Sequence, residues 1–327
     1  MFRDSPAKPD PGETSAGGEG RVRRLHWFTA GFVVLLSLAA ALTWDRWTSL
    51  REQALAHPWV LRFDWLAVSV VTGVAALLIS ARLWVWLFHR AGGDAPVAEA
   101  AAAWLASNLG RYIPGKVWQL TWIAAYMRAR ESSGAASLAA SLALQAVAVA
   151  TAGGVAASLL GRAAFAGPGA WTLGIAALIL VLALHPGVIR RCIRLGARLL
   201  REPDPERSVG ARDLGFAGVV MLLVWGIHGV GLWALARGLL SPSPVALDVA
   251  TGAFAGGYLV GFLVLIAPGG LLVREGAIAA VLHTVSGLAL GVAGAFSVVA
   301  RIWTTVAEVI AFVCAGLFAL RALARRR

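Results

Sequence analysis

Charge is scarce in this chain, and lysine and cysteine are scarcer still. Of its 327 residues only 14% are Asp, Glu, Lys or Arg, where soluble domains carry about 25%. A chain of this length cannot clothe a water-facing surface with so little, which excludes soluble nucleotide-binding or barrel enzymes. Two cysteines, Cys192 and Cys314, stand far apart, one in a basic loop and one in an apolar run. That leaves no disulfide framework and no C-x-x-C metal site. His26, His57, His89, His185, His228 and His283 are scattered, mostly near the ends of apolar blocks, without an HxxxH or HExxH spacing. They read as interfacial residues, and no metal or other cofactor is expected. No G-x-S-x-G elbow is present, and Gly153-Gly154 and Gly256-Gly257 lack the strand–turn–helix setting of a phosphate loop.

What is abundant is apolar sequence. Hydrophobic residues make up 59% of the chain, against about 45–50% ordinarily, and mean hydropathy is +0.74. They gather in blocks of about 20, the length that crosses a hydrocarbon core of ~30 Å. The fold class is therefore all-α, a polytopic integral membrane helical bundle. Blocks run over 25–44, 66–88, 97–126, 135–160, 171–184, 214–236 and 245–266, and apolar sequence continues from 267 to 323 beyond a Pro-Gly-Gly break. The blocks are rich in Gly and Ala, which lets helix backbones approach closely in lipid. Most of the 14 tryptophans lie near block ends, where an aromatic belt belongs.

Residues 1–20 are polar and rich in Gly, Pro and Ser, and read as a disordered cytoplasmic tail. Arg21, Arg23 and Arg24 precede the first block. Ala39-Ala40-Ala41 resembles a leader-cleavage site, but the block exceeds a leader's core and more blocks follow, so a retained span is expected. The net charge is +12, and its arginines flank apolar blocks rather than forming a stripe for nucleic acid. They give topology instead. The loop 186–213 holds seven arginines against four acids, and 324–327 forms a basic end. Both termini are thus expected in the cytoplasm, with the transmembrane domain spanning 21–323. That requires an even number of crossings, and about eight are expected, two of them from 284–323. Two re-entrant elements accompany them, at 97–126 and 267–283. Arg190, Arg194, Arg198 and Arg201 share one helical face of the basic loop, which reads either as an amphipathic segment on the anionic leaflet or as plain positive-inside signalling.

Three elements carry charge into apolar sequence. In the first, Asn108-Leu-Gly-Arg-Tyr-Ile-Pro-Gly-Lys-Val-Trp118, the helix breaks at Pro114-Gly115 between Arg111 and Lys116. The freed backbone groups must face protein or water, either in a cavity or in an interfacial loop. In the second, Pro268-Gly269-Gly270 precedes Arg274 and Glu275, which point about 100° apart on a helix and need separate partners. Paired broken segments in two halves of a chain point to a midplane site. In the third, Arg301, Thr304, Thr305 and Glu308 form one stripe, with Arg301 and Glu308 about 10 Å apart along the axis. Such a stripe faces the bundle interior, as a site or as a clamp between helices. Leaving six ionisable groups in lipid at roughly 3 kcal/mol each would cost more than a domain's ~5–15 kcal/mol stability. Most must be paired or hydrated. Four cations against two anions leaves a positive surplus, which suits an anionic guest such as lipid phosphate.

NLGRYIPGKVW, followed downstream by PGGLLVREGA and an Arg-bearing last stretch, resembles the lysylphosphatidylglycerol synthase transmembrane family, the flippase-like domain also found at the N-terminus of the multiple peptide resistance factor. The resemblance covers about residues 25–320. It implies a multi-span protein of a bacterial-type inner membrane that moves aminoacylated or other phospholipids between leaflets. It carries over Arg111, Pro114, Gly115, Pro268, Gly269, Gly270, Arg274 and Glu275, with Arg301 matching more loosely. Leu272 departs from the pattern, which has glycine there. No soluble aminoacyl-transferase domain accompanies the spans, so lysine transfer to lipid is not expected of this chain. Arg111, Lys116, Arg274, Glu275, Arg301 and Glu308 are the expected headgroup-binding residues. Membrane phospholipids are the expected partners, together with a separate lipid-modifying enzyme. The alternative is a subunit or scaffold of a lipid or polyprenyl-linked transferase, for whose chemistry only Glu275 and Glu308 are candidates.

Overall fold

The computed structural model describes residues 44–108, 110, 118–164, 186–199, 203, 205, 207–264 and 270–324. The expected spans 25–44 and 171–184, the 1–20 tail and the 325–327 end lie outside these, apart from Trp44. Two compact units divide after Glu52, and the helices from Phe63 onward belong to the second, Gln53–Arg327.

Every regular element among the described residues is a helix: α1 (Trp44–Ala56), α2 (Phe63–Arg90), α3 (Val97–Asn108), α4 (Trp118–Ala129), α5 (Gly134–Ala164), α6 (Pro186–Leu199), α7 (Ala211–Leu239), α8 (Leu247–Leu263), α9 (Val273–Ser286) and α10 (Leu290–Ala324). Four of these, α2, α5, α7 and α10, are long and apolar enough to cross a membrane. The chain is a polytopic helical membrane protein.

α2 and α7 form an antiparallel pair whose ends are fixed by backbone and charge. At one end the amides of Val60 and Arg62 donate to the carbonyls of Leu239 and Gly238 at 3.1 and 3.0 Å. At the other end Arg90 Nε donates to Asp213 Oδ1 at 2.8 Å. Asp213 also accepts from the Gly210 amide at 2.9 Å, so one carboxylate closes the first turn of α7, where a negative charge suits the helix dipole, and ties it to α2.

Two broken hairpins are slotted between the long helices, and they enter from opposite ends. α3 and α4 run antiparallel: Glu99 pairs with Arg130 at the open end, and Gln119 Nε2 donates to Asn108 Oδ1 at the break. The Glu99 hydrogen bond and charge hold the Arg130 guanidinium above its usual pKa. This hairpin starts and finishes at the Arg90–Asp213 end, where the Asp94 amide donates to Ser132 Oγ at 3.2 Å. α8 and α9 are likewise antiparallel. A Cβ on Gly257 would meet Ile278, and one on Gly261 would meet Arg274 and Gly270. This second hairpin starts just after α7 ends, and α9 leads directly into α10, whose Gly291 amide donates to Gln53 Oε1 at 3.1 Å.

Two expected crossings therefore resolve differently. The block 245–266 does not traverse the membrane as a span: its helix, α8, has 17 residues, about 25 Å, and turns back as α9. The stretch expected to supply two crossings from 284 is one helix of 35 residues, α10. No proline interrupts it, and at about 52 Å it suffices for one crossing with length to spare. Among the described residues four helices are thus long enough to cross, and the expected spans 25–44 and 171–184 lie outside those residues. The arrangement long helix, broken hairpin, long helix thus occurs twice with inverted direction, as α2–α3/α4–α5 and as α7–α8/α9–α10.

Candidate functional site

The second break is built by close backbone approach. Gly270 has φ +70°, and a Cβ there would sit 3.0 Å from Gly261 Cα and O, so only glycine fits without displacing α8. Leu272, two residues on, is the N-cap of α9 with φ +66° and ψ −33°. Here a leucine holds a conformation that costs a side-chain-bearing residue about 1–3 kcal/mol. Pro268 and Gly269 lie outside the described residues, as do Arg111, Pro114, Gly115 and Lys116 of the first break.

Immediately past the strained turn, Arg274 and Glu275 diverge, as their helical spacing requires. Arg274 turns toward α8, its guanidinium carbon 4.5 Å from the Phe254 ring centroid. Glu275 turns toward α10 and pairs with Arg301, Nη1 to Oε1 at 3.5 Å, with the two side chains only 14% and 10% exposed. That is ion-pair distance but beyond a good hydrogen bond, and neither Glu275 oxygen accepts one among the described residues. A buried carboxylate ordinarily has its acceptor sites filled. This one is held by charge alone.

Arg301 belongs to the polar stripe expected on the last span. Thr304 and Thr305 turn their hydroxyls back to the Arg301 carbonyl at 2.8 and 3.0 Å, which removes both hydroxyls from the list of outward donors. Glu308, two turns along, is buried. Between these residues, Trp303 packs so tightly against α2 and α7 that a Cβ on Gly231 would lie 2.6 Å from its ring.

An aromatic cluster backs the charges, and sequence reasoning missed it. Phe254 stacks on His228 at 4.5 Å and meets Trp303 edge-on at 5.9 Å. Trp225 lies 4.9 Å from Tyr258 and donates from Nε1 to Thr151 Oγ1 at 2.9 Å. Gln145 Nε2 donates to the Tyr258 hydroxyl at 2.7 Å. His228, expected at an interface, is instead buried in the middle of this cluster, because stacking on Phe254 covers its ring faces. The signal was present as five separate ring residues on three apolar helices, but a residue's position along a span does not say which helix it will meet. The site thus joins α5, α7, α8, α9 and α10, with Arg274 at the tip of one hairpin, Arg301 on α10 and aromatic walls behind them.

The basic loop helix is present as α6. Ile193 and Ala197 are buried on the side packed against α5, where Gly196 sits beside Leu142. Arg191, Arg194 and Arg198 are exposed, together with Val188 and Leu195. Arg191 thus joins the expected basic face. Arg190 lies in the helix, and Arg201 falls outside the described residues.

Among the described residues this is an all-helical membrane protein with two oppositely inserted broken hairpins and a charged, aromatic-backed interior. The chain belongs to the lysylphosphatidylglycerol synthase TM region family, whose model matches residues 28–311. No curated protein and no solved structure matches it.

Proposed function

We propose that this protein binds an anionic or aminoacylated phospholipid by its headgroup and moves it between leaflets, in the manner of a flippase. The observation that carries the reading is the Glu275–Arg301 pair, buried at 3.5 Å without hydrogen bonds to the carboxylate and next to Arg274 on a broken hairpin. A charge pair spanning two elements costs desolvation that its own attraction repays poorly. It gains if a phosphate takes the arginines and a headgroup amine takes the carboxylate. In this reading Arg274 and Arg301 grip the phosphate, and Glu275 and Glu308 orient them or receive a cationic headgroup. Two inverted long helix–hairpin–long helix units fit alternating access around such a site.

The orientation belongs to the same proposal. Arg90, Arg130, Arg207 and Arg212 cluster at the Arg90–Asp213 end, which is the cytoplasmic side of a bacterial inner membrane by the positive-inside rule. Both termini then face the cytoplasm, and cysteines placed at positions 5 and 325 should resist an impermeant reagent in intact cells.

Headgroup binding is tested by native mass spectrometry of the purified protein titrated with phosphatidylglycerol and phosphatidylcholine. Arg274→Ala removes one charge-assisted contact of about 1.5–3 kcal/mol, so phosphatidylglycerol should bind roughly tenfold to a hundredfold more weakly. Arg274→Lys should recover only part, since an ammonium lacks the planar two-point contact. Equal retention of both lipids by wild type and Arg274→Ala would exclude a headgroup site there and favour the scaffold of a lipid-linked transferase.

A further inference from the structure

α2 carries an intramembrane cation away from the candidate site. Arg82 lies in an otherwise apolar stretch of α2 eight residues before Arg90, about 12 Å along the axis. With α2 about 42 Å long and a hydrocarbon core of ~30 Å, Arg82 sits about 6 Å inside the apolar layer if the helix is centred. Its side chain is exposed on the outside of the bundle and makes no ion pair or hydrogen bond with another described residue. The acids of α2 and α7 are already committed: Asp64 to Arg62 at 3.3 Å and Asp213 to Arg90 at 2.8 Å. A guanidinium facing lipid at this depth needs an anion or water, and no acid on either helix is left to supply one.

Its surroundings have the build of a headgroup seat. Arg82, Trp86 and Arg90 stand at i, i+4 and i+8, one stripe on the face of α2. Trp86 lies 4.7 Å from Phe216 of α7, and Arg90 reaches over the Trp86 ring at 5.8 Å. Phe216 is half exposed, and Arg212, one turn before it, is exposed as well. Two cations therefore rim an aromatic ledge at the level where acyl chains meet phosphates, and Asp213 neutralises only Arg90.

We propose that the Arg82–Trp86–Phe216 ledge on the outer face of α2 and α7 holds the phosphate of one phospholipid from the leaflet at the arginine-rich end. The phosphate sits on Arg82 and Arg212, the glycerol region lies on the rings of Trp86 and Phe216, and the acyl chains run down the exposed Val219 and Leu223 of α7. This lipid is a resident of the surface rather than cargo, so the inference stands or falls independently of the interior site.

The test uses the full chain, purified in detergent and titrated with phosphatidylglycerol under native mass spectrometry. Arg82→Met keeps the apolar stem and removes the charge. It should lower the affinity of one retained phosphatidylglycerol about tenfold, while Arg237→Met, which removes an exposed arginine at the opposite end of α7, leaves that same lipid in place. Arg82→Lys, which preserves the charge and so guards against misfolding of the methionine variant, should weaken retention by less than Arg82→Met. Wild-type retention in both Arg82 variants would overturn the proposal and leave Arg82 as a hydrated cation. Displacement of the wild-type lipid by inorganic phosphate would overturn it too, since the anion recognised would then be soluble.

Discussion

The two broken hairpins share a plan and differ in how their tips are closed. The α3–α4 hairpin is clasped within itself: one amide–amide hydrogen bond, Gln119 to Asn108, bridges its break, and Glu99 pairs with Arg130 at its mouth. The α8–α9 hairpin is closed by bare backbone contact at Gly261 and Gly270, and while Arg274 lies on Phe254 of its own α8, Glu275 turns outward onto Arg301 of a different helix. A hairpin that satisfies itself can be a rigid wedge. One that depends on its neighbour for charge balance is coupled to that neighbour, and to any ion that enters between them. The described part of the site gathers at the second.

Cutting that coupling should have the largest effect. Glu275→Leu leaves Arg301 without its carboxylate in a buried setting, a loss of about 3–5 kcal/mol, read as a lower Tm of the detergent-solubilised protein. Arg301→Met should cost less when added to Glu275→Leu than alone, because the attraction between the two is already gone in the single variant. Additive losses would mean the two residues do not interact.

Forcing the second tip open comes next. Gly270→Val combines an unfavourable backbone conformation of about 1–3 kcal/mol with a clash on Gly261, and should loosen α8 from α9. Limited proteolysis at the hairpin would report the change. The converse substitution, Leu272→Gly, relieves a positive φ and should raise stability by about 1 kcal/mol. If Leu272→Gly lowers Tm, the strain assigned to that turn is wrong. The smallest effect belongs to the self-clasped hairpin: Asn108→Ala removes one interhelical hydrogen bond, worth about 0.6 kcal/mol between membrane helices. A loss as large as that of Glu275→Leu would erase the contrast.

Much of this was legible in the chain. Apolar blocks gave the class, the two Pro-Gly breaks marked both hairpins, and the 100° between helical neighbours required that Arg274 and Glu275 find separate partners, as they do. Leu272 stood out against the family pattern, and it is where the backbone takes positive φ. Hydropathy could not tell a 17-residue limb that turns back from a span that continues, which is why 245–266 read as a crossing. The burial of His228 and the seat of Phe254 depend on which helices pack together, and periodicity along one helix is silent on that. Arg82 was passed over among the charges in apolar sequence, and its exposure came only with the packing of α2 on α7.

The central claim is that the second hairpin and α10 together handle a lipid headgroup. Its most direct test is the rate at which fluorescent phospholipids cross proteoliposome bilayers containing the wild-type protein, Arg274→Ala, Arg301→Met or Arg198→Gln. The account predicts that wild type moves an anionic or aminoacylated lipid, that the first two variants lose most of that rate, and that Arg198→Gln, on the surface helix α6, keeps it. Transport at the wild-type rate in Arg274→Ala and Arg301→Met alike would contradict it.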